Sequence, residues 1–305
     1  MLRKILKIVG WALLALVLLF AFGLWRNWDT VQRVFLGGLK VYETEAPTLP
    51  ADIKRPAILV FSKTNGFRHE EAIPAANALF DAVAQEQGWG LFKTESGAAF
   101  SPEILARFDA VVFSNTSGDV FTPAQRAAFK AFLERGGGYV GIHAAGDNSH
   151  ADWAWYMDRV IGTTFTGHPM DPQFQQAAVR IEDRTNPATR GLPAEWRRTD
   201  EWYSFDKSPR KPGIAVLATL DEGTYKPGSF FGTELAMSKD HPIVWARCVG
   251  KGRALYSALG HTAATYAEPD YRKHISGALG WALKLEGEGC SPNVAAAPAS
   301  KAPAP

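Results

Sequence analysis

The sequence predicts an α/β fold in which helices flank an open, mostly parallel sheet. Short apolar runs without polar alternation, as at residues 57–61 and 110–113, are typical of strands that are covered on both faces. Segments in which apolar residues recur with helical spacing separate these runs, as at residues 70–87. Strands that alternate with helices in this way favour a parallel sheet with helical layers. An apolar N-terminal segment precedes this domain.

The remaining elements follow from the same patterns. Thr122 and Pro123 begin a second helix as its N-cap and first-turn proline, and Gly136 ends it. Later apolar runs predict strands at residues 139–142, 214–220, 243–246 and 254–259, before a closing helix at residues 271–285.

The stretch GGGYVGIHAAGD, at residues 136–147, is the most informative signal in the domain. Small residues flank His143 at the end of its strand, as a tight strand-to-helix turn requires, because no bulky side chain fits there. In acyl-transfer enzymes of similar architecture this position holds serine or cysteine. A histidine cannot act as a hydroxyl or thiol nucleophile, but it can ligate a metal or move protons. The sequence therefore favours metal-ligand or proton-transfer chemistry at His143.

The N-terminal segment predicts a single transmembrane helix. Residues 8–25 carry no charge and are long enough to cross a bilayer core, and three basic residues precede them. Those basic residues are expected to keep the N-terminus in the cytoplasm and the domain on the other side. A cleaved signal peptide is the alternative, since residues 21–23 loosely resemble a cleavage site. Trp25 and Trp28 suit a membrane interface and favour an uncleaved anchor.

Four segments organise the chain. They are a membrane anchor at residues 1–25, a polar connector at 26–54, the α/β domain at 55–286 and a disordered Ala/Pro-rich tail at 287–305. The sequence shows no sign of contacts between connector and domain. A domain released after about residue 30 is therefore expected to keep its fold.

The composition excludes some partners and cofactors. With 33 basic and 31 acidic residues, a net charge of +2 and no basic stripe, the chain is not expected to bind nucleic acid. The Gly-rich stretch lacks the Lys-Ser/Thr of a phosphate-binding loop and precedes its strand, so no nucleotide cofactor is expected. Only two cysteines occur, Cys248 and Cys290, and their surroundings favour two thiols over a disulfide.

Seven motifs occur in order along the domain. They are TNGFRHE, FDAVVFSN, GGGYVGIHAAGD, GTTFTGHP, DEWYSFD, HPIVWAR and GKGRALYSALGHT. Together they resemble the ThuA-like family, which is named for trehalose utilisation. The resemblance implies a flavodoxin-like sheet similar to that of class I glutamine amidotransferases, without their cysteine nucleophile. It also implies a link to sugar metabolism, including disaccharides and oxidised (3-keto) sugars.

Ligands of open α/β sheets bind beyond the carboxyl ends of the strands, and several polar residues of this chain fall there. The candidate catalytic residues are His69, His143, Asp200 and Glu201, the two carboxylates being candidate general bases. The candidate metal ligands are His143, His168 and His261, because imidazoles beside a carboxylate suit zinc or a similar divalent ion. The candidate substrate-binding residues are Arg68, Asn115, Asp147, Trp202 and Tyr203.

Each candidate also has a structural interpretation. A loop histidine is often a hydrogen-bonding residue, and Asp147 is equally suited to cap the helix that follows it. The carboxylates at positions 200 and 201 also fit a solvated loop, and aromatic residues most often pack in a core. His150, His241 and His274 are expected to be structural.

The motifs and the polar residues at the strand ends favour a membrane-anchored enzyme that acts outside the cytoplasm on a sugar or oxidised sugar derivative. We expect hydrolysis, elimination or isomerisation, with a divalent metal such as zinc as the candidate cofactor. Association into a homo-oligomer stays open. The alternative function is a non-catalytic carbohydrate-binding or interaction module on an amidotransferase-like fold, because loss of the nucleophile is compatible with loss of catalysis.

Overall fold

A computed structural model describes residues 2–288, and the predicted tail from residue 289 onward lies outside the described residues. The strands are β1 (Ala57–Phe61), β2 (Gly90–Thr94), β3 (Ala110–Ser114), β4 (Gly138–Ile142), β5 (Phe165–Gly167), β6 (Phe174–Ile181), β7 (Glu195–Glu201), β8 (Ser204–Phe205), β9 (Ile214–Asp221), β10 (Ser229–Phe230), β11 (Thr233–Glu234), β12 (Pro242–Val249) and β13 (Gly252–Ser257). The helices are α1 (Leu2–Arg26), α2 (Trp28–Phe35), α3 (Ala72–Gln87), α4 (Pro102–Leu105), α5 (Pro123–Arg135), α6 (Ala154–Tyr156), α7 (Ala263–Ala267) and α8 (Pro269–Ala282).

Nine strands form one sheet in the order β2-β1-β3-β4-β13-β12-β9-β6-β7, and β5-β8 and β10-β11 form two small antiparallel pairs. Within the large sheet only β6 and β12 run against the other strands. The carboxyl ends of β1, β3, β4, β7 and β13 therefore meet at one edge, here called the carboxyl edge. The predicted α/β fold, with a mostly parallel sheet and flanking helices, is confirmed.

The sequence predicted the buried strands well and the outer strands poorly. β1, β3 and β4 are buried along their whole length, as their continuous apolar runs indicate. Thr122 caps α5 in a capping box with Gln125, and Gly88 ends α3 in a left-handed conformation. β6 and β7 were missed. They alternate buried and exposed residues, and their exposed positions are mostly polar.

The connector is bound to the domain, so the expectation that the two share no contacts is wrong. We call residues 33–43 the strap. The Leu39 amide donates to the Asn65 carbonyl oxygen at 2.7 Å. The buried Lys63 ammonium donates to the Val41 carbonyl oxygen at 2.7 Å and to the Glu43 carboxylate at 2.6 Å. Backbone carbonyls supply many of these acceptors, and their positions leave no signature in the sequence.

α1 is long and apolar enough to cross a membrane. None of its 25 residues is buried, and the mean hydropathy of its apolar window is 2.6. At about 1.5 Å per residue the helix is about 37 Å long, more than the thickness of a bilayer core. By length and composition, α1 fits either a single-pass anchor or a signal sequence.

Cys248 lies in β12 and is disulfide-bonded, so the expectation of two thiols is wrong. The other cysteine of the sequence, Cys290, lies outside the described residues. Disulfides persist mainly in oxidising compartments.

Candidate functional site

The turn after β4 places His143 at the carboxyl edge. His143 has a φ of 51°, in the left-handed region that non-glycine residues seldom adopt, and it begins a short 3₁₀ helix. The Tyr256 hydroxyl donates to the His143 carbonyl oxygen at 2.8 Å, and a Cβ added at Gly146 would lie 2.3 Å from the Tyr256 ring. The small residues around His143 are therefore required by close packing, as the sequence indicated.

Four side chains converge at this edge. One candidate ligand atom from each of His69, His143, Glu201 and His261 lies within 4.8 Å of all the others. The His143 Nε2 atom is 3.1 Å from His261 Nδ1 and 3.3 Å from Glu201 Oε2. His261 Nδ1 lies 3.0 Å from the same Glu201 oxygen. We call these four residues the cluster.

Hydrogen bonds outside the cluster fix the orientation of its rings. His143 Nδ1 lies 2.8 Å from the Ala258 carbonyl oxygen, which assigns the proton to Nδ1 and leaves Nε2 directed to the cluster. Two imidazole nitrogens only 3.1 Å apart require a proton or a cation between them. His69 Nδ1 is buried and makes no hydrogen bond with any described residue. This orphaned nitrogen and the fixed tautomer of His143 both suit metal ligation.

Glu201 uses its two carboxylate oxygens differently. Oε2 contacts His143 and His261, whereas Oε1 accepts from Gln173 Nε2 at 2.5 Å and lies 3.2 Å from His168 Nδ1. Burial alone would raise the pKa of the Glu201 carboxyl. Hydrogen bonds from His143 and His261 outweigh burial and hold that pKa below its usual range. The carboxylate is therefore ionised at neutral pH.

The surroundings shift the pKa values of two imidazoles in opposite directions. Burial, followed by the charges of His143 and His261, lowers the pKa of His69 well below its usual value. Burial opposes protonation of His143 as well, but the Glu201 carboxylate outweighs it and raises the pKa of His143. The negative charge of Glu201 thus favours a positive charge at the centre of the cluster.

His168 lies outside the cluster, although the sequence suggested it as a metal ligand. Its Nδ1 atom lies 3.1 Å from the Pro169 carbonyl oxygen and contacts the outer oxygen of Glu201. The ring is partly exposed and lies 5.2 Å from the Phe230 ring. His69, suggested as a catalytic residue, lies inside the cluster instead.

Asp200 lies behind the cluster and holds the loop that carries His261. Its carboxylate accepts from the backbone amides of Gly260 at 3.0 Å and His261 at 3.1 Å. It also pairs with the buried Arg198 at 3.1 Å. Asn115 supports the same loop, because its side-chain amide donates to Tyr266, whose hydroxyl donates to the Gly260 carbonyl oxygen. Both residues position the loop.

Two other candidates are engaged by neighbouring side chains or backbone. Arg68 forms a paired hydrogen bond with Glu95, both distances being 2.9 Å. Asp147 accepts from the Ser149 amide at 2.8 Å and caps a short 3₁₀ helix, as its structural interpretation predicted.

The two aromatic candidates have different surroundings. Trp202 is fully buried and donates from Nε1 to the Gln175 carbonyl oxygen at 2.8 Å, so it packs in the core. The Tyr203 ring lies 4.2 Å from the His143 ring. Sequence reasoning missed Gln173, the partner of Glu201, and Phe174, whose ring lies 5.0 Å from the ring of His261. Both precede or begin β6, the alternating strand that the apolar-run pattern does not reveal.

The fold and the cluster define an α/β protein with a buried histidine–carboxylate site at the carboxyl edge of its sheet. Residues 57–282 match the family model ThuA, described as trehalose utilisation, and the chain belongs to this family. A solved structure described as a ThuA-like protein from Bacteroides uniformis is 26% identical, with a TM-score of 0.65, and the match covers 78% of this chain and 95% of that one. A second, from Parabacteroides merdae, is 18% identical, with a TM-score of 0.58, covers 76% of this chain and 91% of that one, and shows the fold alone. None of the curated proteins matches the chain.

Replacing Asp200 with asparagine should strongly destabilise the domain. The variant leaves the Arg198 guanidinium, whose side chain is 1% exposed, without its buried carboxylate, and we expect a loss of about 3–5 kcal/mol in unfolding free energy. Glu268→Gln is the matched control, because Glu268 also pairs with Arg198 but is 31% exposed, and its expected loss is below about 1 kcal/mol. Urea unfolding of the full chain in detergent, followed by tryptophan fluorescence, measures both. Equal losses for the two variants would contradict the positioning role of Asp200.

Proposed function

We propose that this protein is a membrane-anchored enzyme of the ThuA-like family that binds a divalent metal such as zinc and acts on a sugar or oxidised sugar derivative. The observation that carries the proposal is the cluster, with three imidazoles and one ionised carboxylate at the carboxyl edge. The family description supports the class of substrate. Beyond the cluster, we assign proton transfer to His168.

The cluster fits the size and the chemistry of a zinc site. In a tetrahedral site with bonds of about 2.0–2.1 Å, neighbouring ligand atoms are about 3.3 Å apart. The three measured separations among His143, His261 and Glu201 are 3.1, 3.3 and 3.0 Å. The candidate ligand atom of His69 lies within 4.8 Å of these three atoms. A divalent ion held by His143, His261 and Glu201 would keep room for a substrate oxygen and would polarise it as a Lewis acid.

The chain's own residues supply the handling of protons. His168 Nδ1 is occupied by Glu201 and Pro169, which leaves Nε2 to exchange a proton with a substrate. In a 3-keto-glycoside the C2 proton lies next to the carbonyl group and is acidic. When a base removes that proton, the C1–O bond can break, and the departing alcohol takes up a proton. Hydrolysis and isomerisation would also require a residue beside the site that exchanges a proton with the substrate.

The purified full chain should contain about one equivalent of a divalent metal. His143→Gln removes a central ligand and should abolish metal retention, whereas His168→Gln leaves the cluster intact and should retain the metal. Elemental analysis after exhaustive dialysis measures both. Metal loss in the His168 variant alone would show that the cluster is not the binding site.

The metal-loaded chain should convert 3-keto-glycosides or trehalose to products detectable by chromatography and mass spectrometry. Chelation should abolish turnover, and zinc should restore it. His168→Gln should lower kcat by about 10²–10⁴-fold, as expected for loss of a general acid or base. Arg180→Gln, an exposed change on β6, serves as the control. Sugar binding without turnover or metal would favour the non-catalytic module.

We propose further that α1 is retained and places the domain outside the cytoplasm. The length of α1, the basic residues before it and the disulfide at Cys248 all support this location. Protease added to intact spheroplasts should degrade the domain, and the mature chain should begin at or near residue 1. If the protease does not degrade the domain, the domain lies on the cytoplasmic side and the proposed topology is wrong. A chain that begins near residue 24 would identify α1 as a signal peptide.

A further inference from the structure

Exposed apolar side chains lie at the carboxyl edge, which also holds the cluster. We call Phe67, Met170, Phe174 and Phe231 the rim, and their exposed fractions are 50, 57, 42 and 93%. Among the described residues from 57 to 288, the one other large apolar side chain exposed to a similar degree is Leu285. Exposed apolar surface on this domain is thus concentrated at the carboxyl edge.

Three of the four rim side chains connect to the site through ring contacts. The Phe67 ring lies 4.9 Å from the His69 ring, and the Phe174 ring lies 5.0 Å from the His261 ring. Phe231 occupies the turn between β10 and β11 and lies 4.6 Å from Phe230. Phe230 in turn lies 5.2 Å from His168, the partly exposed residue that contacts Glu201. Whatever covers the rim therefore also lies beside the cluster and His168.

The strap ties this edge to the end of α1. The Arg33 guanidinium donates to the carbonyl oxygens of Thr64 and Gly66, the residues just before Phe67. The Tyr42 hydroxyl donates to Asp119 at 2.5 Å in the loop after β3, so the strap runs across the carboxyl edge.

The chain between anchor and strap is too short to place the rim far from the membrane. Seven residues lead from Arg26, the last residue of α1, to Arg33. They span at most about 25 Å when fully extended, and about 10 Å when helical. Most of them are helical, because they belong to α2. The loop that carries Phe67 is therefore held close to the surface of any bilayer that contains α1.

We propose that the rim rests in the interfacial region of the lipid bilayer that contains α1, so that the cluster opens at the membrane surface. This inference rests on the proposed retention of α1, but not on the proposed metal or reaction. Aromatic residues are well suited to the boundary between headgroups and acyl chains. The short tether and the concentration of exposed apolar side chains at this edge favour a bilayer over a second copy of the chain as the occupant.

The test measures the depth of the rim in the full chain. The chain is made by cell-free synthesis into phosphatidylcholine nanodiscs, at one chain per disc. This preparation keeps α1 attached, and the intact mass of the protein verifies that α1 is present. Phe231→Cys and Phe67→Cys carry a nitrobenzoxadiazole label. The control is Lys251→Cys in the exposed turn between β12 and β13, at the opposite edge of the sheet. Wild type treated in the same way reports any labelling of the native cysteines.

Labels at positions 67 and 231 should show blue-shifted emission and should lose intensity when the discs contain doxyl-labelled lipids. The label at position 251 should keep the emission of a probe in water and should not respond to these lipids. If the labels at 67 and 231 resemble the label at 251, the proposal is wrong. A blue shift without lipid quenching, present only when discs hold two chains, would instead identify a second copy as the occupant and would also overturn the proposal.

Discussion

The Glu201 carboxylate holds the candidate site together, because each of its oxygens binds a different part of the site. Oε2 lies between His143 and His261, and Oε1 connects to Gln173 and His168. A carboxylate buried at such a position is tolerated only when its charge is compensated by nearby donors or cations. The strand order brings the ends of β4, β13 and β7 to one edge, and the cluster depends on that arrangement. Asp200 holds the loop that carries His261, and the turn after β4 carries His143. Both arrangements place an imidazole next to the negative charge of Glu201.

Much of the fold followed from local patterns. Central strands covered on both faces are continuously apolar, and helix ends are marked in the sequence by capping residues. β6 and β7 escaped prediction, since a strand with one solvated face reads as a polar segment. At the site, the strand-end rule found His143 and His261 but could not rank His69 against His168. That choice depends on tertiary contacts, which place His69 in the cluster and leave His168 outside it, directly after β5.

The neighbouring acids Asp200 and Glu201 show a second limit of sequence reasoning. Successive side chains of a strand point to opposite faces, so one of two adjacent residues can face a site while the other faces away. Glu201 contacts the cluster, whereas Asp200 contacts backbone amides and Arg198. The sequence identified the pair but could not tell the two apart. The tertiary contacts of each carboxylate make the assignment, and the register of β7 against β6 pairs Glu201 with Phe174.

The strap has a consequence for the smallest part of this chain that can fold alone. A fragment that starts at residue 57, where the family match begins, would lack both Val41 and Glu43. The Lys63 ammonium would then lose the carbonyl oxygen and the carboxylate that accept its hydrogen bonds. The contacts that stabilise this domain therefore extend upstream of the family match, as far as Arg33.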